Sequence, residues 1–245
     1  MKIYLAGAKP FFKYLTGNKY TNKILMTYWD TKGMEMDRLQ PGWDLFMDCG
    51  AYSAWTHGET IDVHEYAKFL LKYKHKINVY PNLDVKGSIE KTKENMHILE
   101  SQYGLHPIPV FHVKTERWDI LEEYIEKYPY IALGAIAGEN ISKEETQRIL
   151  DNCFSRAKRS PLTKFHGFGF TVEKFLARYP FYSADSTSWL TPVKFGQTKN
   201  GSQVEAMRVK QHNVGEAIFA GVRQYVNMEK RITNLWTSRG ITWKD

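Results

Sequence analysis

Residues 44–84 contain a strand–helix–strand pattern that decides the fold class. Asp44-Leu-Phe-Met-Asp48 is a short apolar run that ends in a carboxylate, and the next such run is Ile-Asn-Val-Tyr-Pro-Asn-Leu-Asp at residues 77–84. Between them, Asp62 precedes Val-His-Glu-Tyr-Ala-Lys-Phe-Leu-Leu-Lys-Tyr-Lys, in which apolar residues recur at helical spacing behind an N-cap residue. Two short strands joined by an amphipathic helix are typical of a parallel sheet.

The same alternation continues outward in both directions along the chain. Eight apolar runs occur, at residues 3–6, 24–28, 44–48, 77–84, 108–113, 131–136, 165–170 and 181–185. Helix start signals lie between several of them: Ser88, Ser142 with Glu145 in a capping box, and Thr171. Eight strands separated by helices predict an α/β protein with a (β/α)8 fold, the TIM barrel. An open doubly wound sheet is the alternative.

The rest of the chain predicts one domain with a helical extension. After a Gly/Lys/Asn-rich loop at residues 194–202, a long helical pattern runs from about residue 214 to residue 236. The sequence has no internal repeat and no low-complexity tract, so residues 1–245 are treated as a single domain. Hydrophobic residues make up 42% and charged residues 25%, which excludes a disordered chain. With only Cys49 and Cys153 and no C-x-x-C, a disulfide scaffold and a cysteine-based zinc subdomain are also excluded.

Charge is distributed unevenly along the chain. The formal net charge is +7, made up of −2 over residues 1–152 and +9 over residues 153–245. A basic half predicts a polyanion-binding surface, because neutralising phosphates releases counterions, although a solvated basic face has the same composition. No apolar stretch is long enough to span a membrane, and residues 1–15 lack the apolar core of a signal peptide. We therefore expect a cytoplasmic protein with no membrane partner.

Polar residues end several of the predicted strands. Asp48, Asp84, His112 and Asp185 each close an apolar run, and Gly134 lies in the sixth run. A single strand-end aspartate is often only a helix N-cap. Because the carboxyl ends of barrel strands meet at one face, however, the three carboxylates are expected to converge. Paired carboxylates suit glycosyl chemistry, in which one attacks the anomeric carbon and another moves a proton.

Four motifs in order carry a family resemblance. They are Asp48-Cys-Gly-Ala-Tyr-Ser53, the acidic strand end Asp84, Gly134-Ala-Ile-Ala-Gly-Glu139, and Gly167-Phe-Gly-Phe-Thr171 followed by a helix and Asp185. Over residues 44–190 this pattern resembles the tRNA-guanine transglycosylase superfamily, (β/α)8 barrels that exchange guanine for a 7-deazaguanine. The zinc subdomain of that family is absent, and His112 stands where the family has a base-reading glutamine. The compact, zinc-free form is most similar to the bacteriophage branch, which inserts 7-deazaguanines into DNA.

The resemblance implies a role for each matching residue. Asp185 would attack C1′ of the sugar as the catalytic nucleophile, and Asp48 would move the proton of the leaving or incoming base. The residues implied to bind the base are Asp84, His112, Gly134, Ala135 and Tyr52. For His112 a core histidine, and for Tyr52 simple packing, is the alternative. The resemblance implies no metal and no organic cofactor, and its partners are DNA and a free preQ0-type base. A phage-encoded member would act in the cytoplasm of the infected host cell.

Nucleic-acid contacts are predicted mainly from charge. Trp189 follows Asp185 closely and is the candidate for stacking on a strand; the candidate basic contacts are Lys194, Lys199, Arg208 and Lys210. Three alternative functions remain open at this point. In the first, the protein is the same enzyme acting on RNA. In the second, it is a non-catalytic nucleic-acid-binding barrel. In the third, it is a metabolic barrel enzyme acting on a small phosphorylated substrate. For the last, Ser186-Thr187-Ser188 is a poor match to a phosphate-binding loop.

Overall fold

A computed structural model describes residues 1–16, 21–39, 41–136, 141–158, 160, 163–195 and 214–243. Its centre is one curled sheet of eight parallel strands in the order β4-β3-β2-β1-β8-β7-β6-β5. The strands are β1 (Lys2–Ala6), β2 (Lys23–Thr27), β3 (Asp44–Asp48), β4 (Ile77–Val79), β5 (Val110–His112), β6 (Tyr130–Gly134), β7 (Lys164–Gly167) and β8 (Ser183–Ser186). Each strand lies beside its sequence neighbour and β1 pairs with β8, which is consistent with a TIM-like barrel.

Helices follow most of the strands. In the described residues they are α1 (Phe12–Leu15), α2 (Tyr28–Thr31), α3 (Ala51–Thr56), α4 (Val63–Lys72), α5 (Ile89–Ser101), α6 (Trp118–Lys127), α7 (Lys143–Ala157), α8 (Glu173–Leu176), α9 (Thr191–Phe195) and α10 (Val214–Ser238). Short 3₁₀ turns occupy Lys9–Phe11, Met36–Arg38 and Ser188–Leu190. The predicted α/β class and the predicted C-terminal helix are confirmed. None of the described helices is long and apolar enough to cross a membrane.

Three of the four predicted helix starts are confirmed by side-chain caps. The side chains of Asp62, Ser88 and Ser142 accept hydrogen bonds from backbone N–H groups in the first turns of α4, α5 and α7. The prediction at Thr171 is wrong by one residue, because the N-cap of α8 is Val172. The Thr171 hydroxyl pairs with the hydroxyl of Tyr225 at 3.2 Å, and the helix begins only after Val172.

The fourth strand is shorter than the apolar run that predicts it. It ends at Val79, because Pro81 has no N–H to continue a ladder. The chain nevertheless stays close to the segment before β5. The Asn82 N–H donates to the carbonyl of Ile108 at 2.9 Å, and the Ile108 N–H donates to the carbonyl of Tyr80 at 3.0 Å. These bonds link the segments next to the two outermost strands, β4 and β5.

The residues inside the curled sheet and the C-terminal helix both stabilise the sheet that carries the candidate site. A buried cluster fills the inside of the sheet: Tyr4, Ala6, Leu25, Phe46, Ile108, Val110 and Ala132. On the outside, the Glu229 carboxylate of α10 accepts the Ile3 N–H at 2.7 Å and pairs with the Lys23 ammonium at 3.0 Å. The first strand is therefore anchored by the last helix, which leaves the carboxyl ends of the strands at the opposite end of the sheet.

Candidate active site

The three predicted aspartates lie at the carboxyl ends of their strands. Asp48 is the last residue of β3, Asp84 follows β4, and Asp185 lies in β8. The charges of Asp84 and Asp185 both raise the pKa of Asp48. The structure therefore brings the three carboxylates into one electrostatically coupled group, as the sequence predicts.

Asp48 is the active-site carboxyl group whose pKa is raised into the neutral range. Burial is the largest cause of the shift and the charge of Asp84 comes next, whereas the N–H of Gly50, at 3.1 Å from Oδ2, opposes them. Together these effects raise the pKa of Asp48 to about 7. At neutral pH this group exists in both protonation states, so it can give a proton or take one.

The tight turn after Asp48 depends on Gly50. This residue has φ +77°, and a Cβ there would lie 2.6 Å from Cβ of Trp29. Only glycine accommodates both the left-handed backbone and the close approach of α2. The turn directs the Gly50 N–H back to the Asp48 carboxylate and starts α3 immediately afterwards.

Asp84 is paired with His112 across the site. The His112 Nε2 atom lies 3.0 Å from Asp84 Oδ2, while Asp84 Oδ1 is buried and has no hydrogen-bond partner among the described residues. Burial lowers the pKa of His112, but the hydrogen bond and charge of Asp84, with the charge of Glu116, outweigh it and raise the pKa above its ordinary value. The imidazole is half-buried and belongs to the site rather than to the core.

Gly134 makes room for this histidine. A Cβ at Gly134 would lie 2.8 Å from His112 Nδ1, so the ring occupies the space that the missing side chain leaves. The next residue, Ala135, has φ +60°, the left-handed region that non-glycine residues rarely adopt. This strained turn places the Gly134–Ala135 backbone at the end of β6. Residues 137–139 of the predicted motif lie outside the described residues.

Asp185 is held by a hydrogen-bonded chain inside the sheet. His166 Nε2 lies 3.2 Å from Asp185 Oδ1, and His166 Nδ1 lies 2.6 Å from Ser183 Oγ. Ser183 Oγ in turn contacts the hydroxyl of Tyr130, and burial raises the pKa of that tyrosine, so it keeps its proton. A neutral imidazole that donates through Nε2 accepts at Nδ1, and this tautomer gives the direction Tyr130 to Ser183 to His166 to Asp185.

The Gly169 N–H also donates to Asp185 Oδ1, at 2.9 Å. Gly169 has φ +63°, in the turn that follows β7. Both hydrogen bonds that the described residues make to this carboxylate therefore fall on Oδ1. The second oxygen, Oδ2, keeps its lone pairs for another atom.

The predicted nucleic-acid contacts are only partly covered by the structure. The prediction for Trp189 is wrong: its side chain is completely buried, and its indole N–H donates to the carbonyl of Ala6 at 2.8 Å. Helix α10 packs directly on it, since a Cβ at Gly221 would lie 1.9 Å from the Trp189 carbonyl oxygen. Lys194 is exposed on α9. Lys199, Arg208 and Lys210 lie outside the described residues.

The sequence analysis missed His166, Ser183 and Tyr130. A sequence signal was present for Ser183, because side chains two apart on a strand point to the same side. Ser183 shares a face with Asp185, and His166 lies directly opposite Ser183 in the β7–β8 register. Tyr52 on α3, by contrast, has 77% of its surface exposed. A side chain that stacks on a base has to be accessible in this way.

No group of three or more His, Cys, Asp or Glu side chains in the described part of the chain is arranged to hold a metal ion. No protein-family model matches the chain, and no curated protein matches it significantly. Function is therefore inferred from the site itself.

Proposed function

We propose that this protein is a DNA guanine transglycosylase, which replaces guanine in DNA by a 7-deazaguanine base of the preQ0 type through a covalent glycosyl-enzyme. The resemblance to the tRNA-guanine transglycosylase superfamily, and to its bacteriophage branch, belongs to this proposal. One observation carries it: Asp185 is oriented through one oxygen only, beside a second carboxyl group, Asp48, whose pKa is about 7.

In the first displacement, Asp185 Oδ2 attacks C1′ of the deoxyribose. The C1′–N9 bond breaks, its electron pair goes to guanine, and the protonated Asp48 supplies the proton that neutralises the leaving base. A pKa of about 7 supports this role, since an ordinary aspartate carries almost no proton at neutral pH.

In the second displacement, the incoming base gives its N9 proton to the Asp48 carboxylate and attacks C1′. The C1′–O bond breaks and returns its electron pair to Asp185. Two inversions restore the original configuration at C1′. The proton and the electrons balance over one cycle without any further reactant.

Asp84 is the group that recognises the base in this proposal. Its buried Oδ1 has no partner among the described residues, and a buried acceptor without a partner is costly. The N–H groups on the pyrimidine edge of guanine, which a 7-deazaguanine shares, would satisfy it. The His112 imidazole lies 3.0 Å from Asp84 Oδ2 and so leaves Oδ1 as the acceptor for the base.

We also infer that the sheet closes into a (β/α)8 barrel as a single domain. The support is a parallel bridge between Pro81 and Ile108, the two backbone hydrogen bonds beside it, and the Val110 N–H, which donates to the Asn82 side chain at 3.0 Å. A closed barrel gives the three carboxylates one common face.

The test is an exchange assay with two polymers. The protein is incubated with labelled guanine and either DNA or tRNA, and label in the polymer is counted; Asp185→Asn and the exposed-site control Asp119→Asn run in parallel. We expect label in DNA, lost in Asp185→Asn and kept in Asp119→Asn. Label in tRNA alone would make RNA the substrate. Label in neither polymer, together with tight nucleic-acid binding, would favour a non-catalytic barrel.

A further inference from the structure

Helices α2 and α3, with the residues that follow them and the segment after Asp84, carry a group of aromatic rings and amines beside the active site. Only Tyr52 among them is implied to bind the base. We call this group the aromatic rim; its members are Trp29, Lys32, Tyr52, Trp55, His57 and Lys86. The rings of Tyr52 and Trp55 on α3 are 6.1 Å apart between centroids, and those of Trp29 and His57 are also 6.1 Å apart. Trp29 lies on α2, Tyr52 and Trp55 lie on α3, and His57 follows α3 directly; the two helices pack together.

The outer ring pair is unusually accessible. Tyr52 is 77% exposed and Trp55 is 48% exposed, and both are on the same side of one short helix. Adjacent exposed aromatic side chains on a soluble surface mark interaction sites, because burying them against a partner is favourable. Trp29 packs on Gly50 and forms the inner part of the rim.

The rim is also positively charged. The Lys86 ammonium lies over the ring of Trp55, and that of Lys32 lies 3.9 Å from the ring centroid of Trp29. Lys32 has an exposed ion pair with Glu59 at 3.8 Å, whereas Lys86 forms no ion pair with the described residues. Ring faces combined with amines fit a single nucleic-acid strand, whose bases stack and whose phosphates are negative.

The aromatic rim directly follows the active-site carboxylates Asp48 and Asp84 along the chain. Helix α3 starts three residues after Asp48, and Lys86 comes two residues after Asp84. A nucleotide whose base is taken out of the stack leaves its neighbours without a stacking partner. Aromatic faces next to the site can replace that lost stacking.

We propose that the aromatic rim binds the single-stranded DNA that flanks the reacting nucleotide, with flanking bases stacked on Trp55 and Tyr52 and phosphates held by Lys86 and Lys32. This inference rests on the proposed function. It assigns a strand contact to the N-terminal half of the chain, whereas charge alone assigns such contacts to residues 153–245.

The test measures binding without chemistry. The full chain is titrated into a fluorescent thymine oligonucleotide about 12 nucleotides long, a usual size for single-strand sites, and into the same backbone without bases. The variants are Trp55→Ala, Trp55→Phe and Lys86→Met, and the control is Leu71→Ala, an exposed apolar side chain on α4. Circular dichroism of each variant confirms that the fold is kept.

We expect Trp55→Ala to weaken binding of the thymine strand roughly tenfold, from the usual contribution of one base–aromatic stack. Trp55→Phe should restore most of the loss, and Leu71→Ala should bind like the unchanged protein. On the backbone without bases, Trp55→Ala and the unchanged protein should bind equally weakly. Lys86→Met should reduce the slope of log K against log[salt] by about 0.7, as for one phosphate on a single strand.

Failure of the rim and failure of the exchange chemistry give different results, since the thymine strand contains no guanine. Equal binding by Trp55→Ala and Leu71→Ala, or no binding by the unchanged protein, overturns the rim. If Trp55→Ala loses binding but no polymer exchanges guanine, the rim is supported as a DNA surface and the transglycosylase proposal falls.

Discussion

On the β7–β8 side of the active site, Asp185 receives two hydrogen bonds on one oxygen, and the histidine that donates one of them is itself held by Ser183. On the β3–β4 side, Asp48 is pushed towards neutrality, and Asp84 keeps one buried oxygen without a partner among the described residues. The β7–β8 side fixes one carboxylate in position. The β3–β4 side leaves one carboxyl group close to its titration midpoint at neutral pH and one buried oxygen free to accept a hydrogen bond. A nucleophile needs the first environment, and proton transfer and base recognition need the second.

The largest expected effect is on the fixed side. Asp185→Asn removes the attacking oxygen but keeps the shape and the Gly169 contact, so exchange should fall by at least roughly 10⁴-fold. DNA affinity and the unfolding midpoint should stay close to those of the unchanged protein. Single-turnover exchange and a binding titration measure the two quantities. Near-normal turnover would contradict the double displacement and remove the distinction between the two sides.

Asp48→Asn tests the proton-transfer side. Loss of a general acid–base group should lower exchange by about 10²- to 10⁴-fold. The rate of the unchanged protein should change around pH 7, where Asp48 titrates, and the rate of the variant should lose that inflection. An unaltered pH profile in Asp48→Asn would assign the proton transfer to another group.

Asp48→Asn should lower the exchange rate but raise the stability of the folded protein at pH 8. The folded-state pKa of about 7 lies above the ordinary value of 3.8, so between these pH values the folded protein holds a proton that the unfolded chain has lost. The free energy of unfolding therefore falls as pH rises from about 4 to 7. Asp48→Asn avoids this loss and should be the more stable protein at pH 8, by up to a few kcal/mol at about 1.4 kcal/mol per pKa unit. Urea unfolding at pH 4, 6 and 8 should show the difference growing with pH.

A smaller effect is expected at His166, which acts through Asp185. In His166→Phe the Asp185 carboxylate loses a donor, and a misplaced reacting group typically costs on the order of 10²-fold in kcat. His166→Gln keeps an N–H donor and should recover part of the rate. KM should change little in either variant, because the ring is completely buried and does not contact the base. Equal kcat for the Phe and Gln variants would mean that His166 only fills space.

The sequence predicted the sheet and the three carboxylates because both depend on local patterns. Asp48 and Asp185 close apolar runs, and parallel strands bring such ends to one face. The support of Asp185 could not be predicted in the same way. His166 and Ser183 are 17 residues apart and meet only through the β7–β8 register. The prediction for Trp189 was wrong for a related reason. Its burial depends on close packing by α10, a helix that begins more than 20 residues later.

The smallest effect concerns which side of the site holds the strand. Lys194 is exposed on α9, which follows β8, while Lys86 follows the Asp84 strand end on the other side. If Lys194 contacts a phosphate, Lys194→Ala should reduce the slope of log K against log[salt] by about 0.7 to 0.9 and leave exchange at saturating DNA nearly unchanged. Lys68→Ala, on the outer helix α4, is the matched control and should leave the slope as it is. When Lys86→Met and Lys194→Ala are combined, independent phosphate contacts predict additive slope changes. A slope changed by Lys86→Met alone would place the strand on the β3–β4 side, next to the carboxylates that handle the base.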